Sequence, residues 1–405
     1  MTALVVAPGR SGIDTERWPD VAVVPPESWR TPFARALVRR ALHRLPLTGD
    51  AVMVCHNAEL LARRVAANGM IGFGESYMAG EWDAPDLAAV LGVFASHFDE
   101  LVPSWSRWLR RWVLPAANGR DLNTPGGARS NIAHHYDLSN DLFAAFLDET
   151  MTYSSAQFEP GERRDRANLA TAQRRKIDRL LDECRVGSGT RLLEIGSGWG
   201  ELAIRAAQRG AEVVTITLSQ EQRELAVARV RAAGLDEGVD VRLVDYRDVD
   251  GSFDAIVSVE MIEAVGAEYW ADYFGQLDTL LATGGLVGIQ TITKPHHRMV
   301  EERRTYSWIN KYIFPGGLVP SFEAIESTVG ETTRLRVVDR IAFGQSYADT
   351  LAIWRQRFDD RASDVAALGF DDVFRRMWDF YLACSEAGFR AGLLDVEQLI
   401  MRRDD

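Results

Sequence analysis

The chain has 405 residues, 46% hydrophobic and 26% charged, which is ordinary globular material with room for two domains. Its formal net charge of −12 argues against general nucleic-acid binding, which needs a basic face. Cys55, Cys184 and Cys384 are too scattered for a disulfide framework or a metal cluster; no run is apolar enough to span a bilayer, and the start lacks a signal-peptide pattern, so a reducing cytoplasm is expected.

Residues 1–20 read as a loose tail. From Trp29 to Leu114 the pattern is mainly helical, with an irregular centre at Gly69 to Met78. Between Trp29 and Arg44 stand Arg30, Arg35, Arg39, Arg40, His43 and Arg44 with no acid among them. Further on, Trp105, Trp108, Leu109 and Trp112 share one helical stripe beside Arg107, Arg110 and Arg111. Such a stripe suits an anionic membrane surface, and it equally suits a helix docked on its own protein. Pro115 to Gly127 reads as a linker, so a helical domain is expected over residues 1–120 and a second domain over 121–405.

The second domain opens with a helical segment, Asn131 to Phe146, and then alternates strands with helices. Strands are expected at Leu192–Ile195, Glu212–Thr217, Val239–Asp245, Ser252–Glu260 and Gly284–Gln290. That alternation predicts an α/β, doubly wound, mostly parallel Rossmann-like sheet, whose ligands sit at the carboxyl ends of the strands. Beyond Pro320 a helix, a strand at Leu335–Phe343 and amphipathic helices through Arg402 are expected. His296 and His297 read as loop residues at the site's mouth, too bare of acids and cysteines for a metal site, and no metal is expected.

The most informative stretch is Leu192-Leu193-Glu194-Ile195-Gly196-Ser197-Gly198-Trp199-Gly200. An apolar strand ends in an acid and opens into glycines at every second position, which admit a ligand and turn the chain into a helix. This spacing differs from the dinucleotide fingerprint and matches S-adenosylmethionine (SAM) sites. Gly196, Gly198 and Gly200 would admit the cofactor, and Glu194 would orient its amino-acid end.

Three more stretches make the pattern specific: Asn131 to Phe143 followed by Met151-Thr152-Tyr153-Ser154, Thr217 to Gln222, and Trp308 to Gly317. Together with the glycine turn they resemble the cyclopropane-fatty-acyl-phospholipid synthase family, which includes the mycolic acid cyclopropane synthases. Gly72 to Met78 also resembles the lipid-engaging N-terminal domain of its phospholipid-acting members. The resemblance implies a class I SAM-dependent methyltransferase that methylates a cis double bond of a phospholipid-bound acyl chain. It implies cofactor contacts from Tyr136, Tyr153, Ser154, Thr217, Leu218, Gln222, Tyr246 and Arg247.

In this family a bicarbonate ion serves as the base. Carried over by position, it would be held by Glu263, Tyr347 and Ile292. Two positions depart from the pattern: Ser155 replaces a cysteine, and Gln290 replaces a histidine and cannot be a cation. Those departures, with an Ala- and Arg-rich composition, favour the actinobacterial branch, which makes 10-methylene chains for a flavin-dependent reductase; the cyclopropane ring stays open as the alternative. The resemblance places the chain at the inner face of the cell membrane as a peripheral protein. It leaves homo-oligomerisation open.

Overall fold

The structure is a computed structural model, and it describes residues 12–47, 49–101, 113, 139–303 and 305–403. The Trp105–Trp112 stripe, Tyr136 and the start of the Asn131 segment lie outside the described residues. The chain divides into two compact units. The first comprises residues 1–118 with two later segments, Glu302–Ile313 and Phe358–Ala391; the second holds the rest.

The first unit is helical, built on Thr31–Arg44, Ala58–Met78, Leu87–Ser96 and Asp372–Arg390. Asn57, Asp86 and Asp371 cap the last three by accepting backbone N–H bonds, as short polar side chains do at helix starts. The stretch expected to be irregular, Gly69 to Met78, is helical instead: one residue, Gly69, takes φ 57 and ψ −128, and the helix resumes at once. A single glycine with positive φ thus joins two helices across a kink, which brings Gly72 against the Arg64 carbonyl. Two motifs far apart in sequence meet here. The Trp308 ring lies where a Cβ on Gly74 would fall, 2.5 Å away, and Lys311 and Tyr312 both donate to the fully buried Glu75. Trp378, Phe380 and Tyr381 are core of this unit.

The second unit is an α/β domain. Its strands are β1 Arg191–Ile195, β2 Glu212–Thr217, β3 Val239–Leu243, β4 Phe253–Val259, β5 Leu281–Thr293, β6 Leu335–Ala342 and β7 Asp395–Arg403. They form one seven-stranded sheet in the order β3-β2-β1-β4-β5-β7-β6. The first five are parallel, and the apolar runs of the inner strands are buried, whereas the outer strand β3 is exposed at alternate residues. Order reverses between β1 and β4, so the carboxyl ends of those strands frame the crevice.

The last element corrects the expectation of helix through Arg402. Helix ends at Arg390, and residues 395–403 form β7, inserted antiparallel between β5 and β6 with Gln290 opposite Gln398. Both faces of β7 are covered, so six consecutive residues from Val396 to Met401 are buried and the alternation that marks a half-exposed strand is lost. His296 and His297 also differ from expectation, since they open the helix His296–Glu302, where His296 contacts Ser321 at 2.8 Å.

Candidate active site

The glycine turn leaves β1 with φ values of 96, 49 and 90 at Gly196, Gly198 and Gly200. All three lie in the left-handed region, which L side chains enter only at a cost. A Cβ on Gly200 would also stand 3.2 Å from the Cβ of Ala226, on the neighbouring helix Gln220–Ala232. The turn feeds directly into the helix Glu201–Gln208, whose first N–H groups face the crevice end of β1.

A cavity opens over this turn. Its lining includes Tyr153, Ser154, Glu194, the Gly196–Trp199 backbone, Thr217, Leu218, Gln222, Tyr246 and Arg247. Glu194 is buried and accepts a hydrogen bond from Thr215 Oγ1 at 2.6 Å. Burial pushes its pKa up to about 8, so a cationic group beside it would be well received. Thr217 Oγ1 donates to Gln222 Oε1 at 2.8 Å, and Ser219 caps the helix that carries Gln222. Arg247 is held bidentate by Asp245, at 2.8 and 2.6 Å, and lies over the Tyr246 ring. Tyr153 packs among Phe143, Phe146 and Trp354. A buried carboxylate, a side-chain-free backbone cradle and an aromatic end fit the amino-acid, sulfonium and adenine parts of SAM.

Beneath this cavity lies an arrangement the sequence did not announce. Glu260, at the end of β4, lines the cavity, is deeply inset and takes φ 49. Its carboxylate accepts from the Ser155 backbone N–H at 2.8 Å, from Gln290 Nε2 at 2.8 Å and from the Tyr347 hydroxyl at 2.8 Å. Its own N–H donates to the Gln290 carbonyl at 2.7 Å, which holds the strained residue in place. Burial raises the Glu260 pKa, against the opposing charge of nearby Lys176. Lys176 is itself fully buried; desolvation lowers its pKa to about 8, and it donates to Ser154 Oγ and, at 3.1 Å, to the Ser155 carbonyl.

Glu263, three residues on, sits apart from these donors. Its Oε1 accepts from Thr291 Oγ1 at 2.9 Å and from the Ile292 N–H, while Oε2 is buried with no hydrogen-bond partner among the described residues. Burial, and then the like charge of Glu260, push Glu263 up to about 8. Neither Glu263, Gln290, Ser155, Tyr347 nor Ile292 is among the cavity's lining residues, and Glu260 is. Sequence reasoning missed Glu260, Lys176 and Asp245. Glu260 carried a signal, as the first of two acids directly after a sheet strand.

Comparison with known proteins accounts for this frame. The sequence profile of mycolic acid cyclopropane synthetase matches residues 125–399. The chain belongs to that family. It is 52% identical to the tuberculostearic acid methyltransferase UfaA1 of Mycobacterium tuberculosis over 97% of both chains. It is 33% identical to the cyclopropane-fatty-acyl-phospholipid synthase of Escherichia coli, over 94% of this chain and 95% of the relative. Among solved structures, the cyclopropane synthase MmaA2 of Mycobacterium tuberculosis is similar with TM-score 0.62 and 31% identity, covering 67% of this chain and 97% of that one. Mycolic acid cyclopropane synthase CmaA1, complexed with SAH and CTAB, is similar with TM-score 0.61 and 31% identity, covering 68% and 98%. This member of the family is therefore an α/β class I methyltransferase whose cofactor is SAM.

Proposed function

We propose that this chain transfers the SAM methyl group to the cis double bond of a phospholipid-bound, oleoyl-type acyl chain and releases a 10-methylene chain. The observation that carries this reading is the 52% identity to a tuberculostearic acid methyltransferase across 97% of both chains. Bound SAM supplies an electrophilic methyl carbon. An alkene is a weak nucleophile, so the chain must hold it at near-attack distance in a water-poor cavity.

The residues divide that work. Glu194 receives the amino-acid end of the cofactor, Thr217, Leu218 and Gln222 face its ribose, and Tyr246 and Arg247 flank its adenine. Tyr153 and Ser154 line the methionine end, and the family resemblance adds Tyr136, which lies outside the described residues. Addition leaves positive charge on the acyl chain, which aromatic faces and carboxylates stabilise. Tyr153 is the cavity's aromatic wall on that side, and Glu260 its carboxylate. Tyr347, Gln290 and Ser155 hold Glu260 in place, and Ile292 with Thr291 holds Glu263. The helical unit engages the lipid at the inner face of the membrane, and a flavin-dependent reductase consumes the methylene product.

The 33% identity to a cyclopropane-fatty-acyl-phospholipid synthase favours a second reading, in which the same addition ends in ring closure. Lipid extracts of cells expressing the chain with oleoyl phospholipid separate the two. The first reading expects one added CH₂ per modified chain with vinylic methylene protons in the NMR spectrum. Ring protons would establish the second, and unchanged lipids would remove both.

A further inference from the structure

We propose that the Glu260 carboxylate is the proton acceptor of this reaction, standing where the family resemblance puts a free bicarbonate ion. The inference rests on the acyl-methylation reading above and names a residue for its last step.

The geometry argues it in three parts. First, the donors are taken. Ser155, Gln290 and Tyr347 are the residues that the resemblance assigns to the anion or its neighbourhood, and all three donate to Glu260 at 2.8 Å. A carboxylate and a bicarbonate present the same planar pair of oxygens, so one set of donors serves either group. A second anion would need new donors and would stand against the charges already there.

Second, the donors are aimed. Gln290 Oε1 accepts from Gln398 Nε2 at 3.0 Å, and Gln398 Oε1 accepts from Arg179 Nη1 at 2.9 Å. Arg179 only donates, so each amide in turn must present its NH₂ group forward, and Gln290 ends with its NH₂ toward Glu260. A histidine in place of Gln290 could hold or shed a proton; the amide keeps one orientation and stays neutral.

Third, the carboxylate is placed. Of the acids here, Glu260 lines the cavity and Glu263 does not. The backbone pays for that position with φ 49 at a non-glycine residue, an outlier of the kind found where geometry serves chemistry.

The step balances without a further reactant. The alkene pair forms the new C–C bond to the methyl carbon while the C–S pair returns to sulfur. The neighbouring carbon becomes cationic, and a hydride shift moves the charge to the methylated carbon. A proton then leaves the new methyl for Glu260, and its C–H pair becomes the exocyclic double bond. The same acceptor serves ring closure if no hydride shifts and the methyl C–H pair closes on the neighbouring cationic carbon instead.

The test uses the full chain with SAM and oleoyl phosphatidylglycerol vesicles in buffer stripped of CO₂, and calorimetric titration of bicarbonate in the presence of SAH. The expected result is a wild-type rate indifferent to added bicarbonate, and no bicarbonate uptake by the wild-type chain. E260Q, which keeps the side chain's size but holds a proton poorly, should lose about 10²–10⁴-fold in rate with its SAH affinity unchanged. E260G, free of backbone strain, should take up bicarbonate in the calorimeter. A wild-type rate that falls on CO₂ removal and returns with bicarbonate would overturn the proposal, as would wild-type uptake of bicarbonate or an E260Q rate equal to wild type. If no vesicle lipid is methylated at all, the acyl-methylation reading fails, and the calorimetric comparison of wild type with E260G still decides the anion's place.

Discussion

At Gly200 two separate constraints meet, a φ of 90 and a gap of 3.2 Å to the Ala226 Cβ from where a side chain would begin. An alanine there pays about 1–2 kcal/mol for the left-handed backbone alone. Relief would shift a turn whose neighbouring residues, Gly196 to Trp199 and Glu201, line the cavity. We expect Gly200→Ala to lower thermal stability modestly and to weaken SAH binding by roughly tenfold, which corresponds to about 1.4 kcal/mol. Calorimetry with SAH measures it, and an unchanged affinity would detach this turn from the cofactor. Glu194 makes the complementary point. An acid desolvated to a pKa of about 8 is costly in an empty cavity and useful beside a cationic ligand.

At the scale of elements, the antiparallel edge of the sheet decides how the site is built. β7 places Gln398 opposite Gln290, and that pairing supplies the donor to Gln290 Oε1, while Gln290 Nε2 donates to Glu260 and, at 3.3 Å, to the Ser155 carbonyl. The edge is tied down at its far end by Asp278, on the helix Trp270–Leu280. Its carboxylate accepts from Arg403 Nε, at the end of β7, at 2.7 Å and from Arg334 Nε, just before β6, at 3.1 Å. Burial works against ionisation of Asp278, but the hydrogen bonds and charges of Arg403 and Arg334 outweigh it and hold the pKa below the usual carboxylate range. A carboxyl depressed in the folded state stabilises the protein above its unfolded pKa, and that contribution is lost as pH falls through the folded value. The window therefore lies below about pH 4. We expect Asp278→Asn to cost roughly 1–3 kcal/mol at neutral pH, leaving arginine donors short of their partner. Its penalty should shrink in acid, where the wild-type carboxyl is protonated too. Urea unfolding at neutral pH and at pH 3 compares the two; an equal difference at both would show that the charge is not what matters.

For the whole molecule the proposed engagement of a lipid surface must be reconciled with a net charge of −12. Overall charge repels the chain from anionic membranes, so the proposed binding would come from a local patch that combines burial of rings with arginines. Among the described residues no helix is long and apolar enough to cross a membrane. The Trp105, Trp108 and Trp112 stripe with Arg107, Arg110 and Arg111 has the required composition. Replacing the three tryptophans by alanine should reduce co-sedimentation with anionic vesicles by at least about tenfold, since an interfacial ring contributes on the order of 1 kcal/mol or more. SAH affinity in solution should stay as it was. Equal sedimentation of the two proteins would return the stripe to the role of a docked helix.

What the sequence determined by itself was everything carried by short range. Strand-helix alternation named the sheet, and the spacing of Gly196, Gly198 and Gly200 after Glu194 named the cofactor, because turn geometry and alternation are set within a few residues. The order of elements likewise announced the crevice at the end of β1. The tertiary structure alone decided which acid reaches the cavity. Glu260 and Glu263 are chemically alike and three residues apart, and only the left-handed step at Glu260 and donors drawn from 155, 290 and 347 tell them apart. It alone revealed β7, because a strand covered on both faces has no alternation to read. Long-range pairing, such as that of Gln398 with Gln290, is written in no local pattern, and the surroundings of Glu260 are built from it.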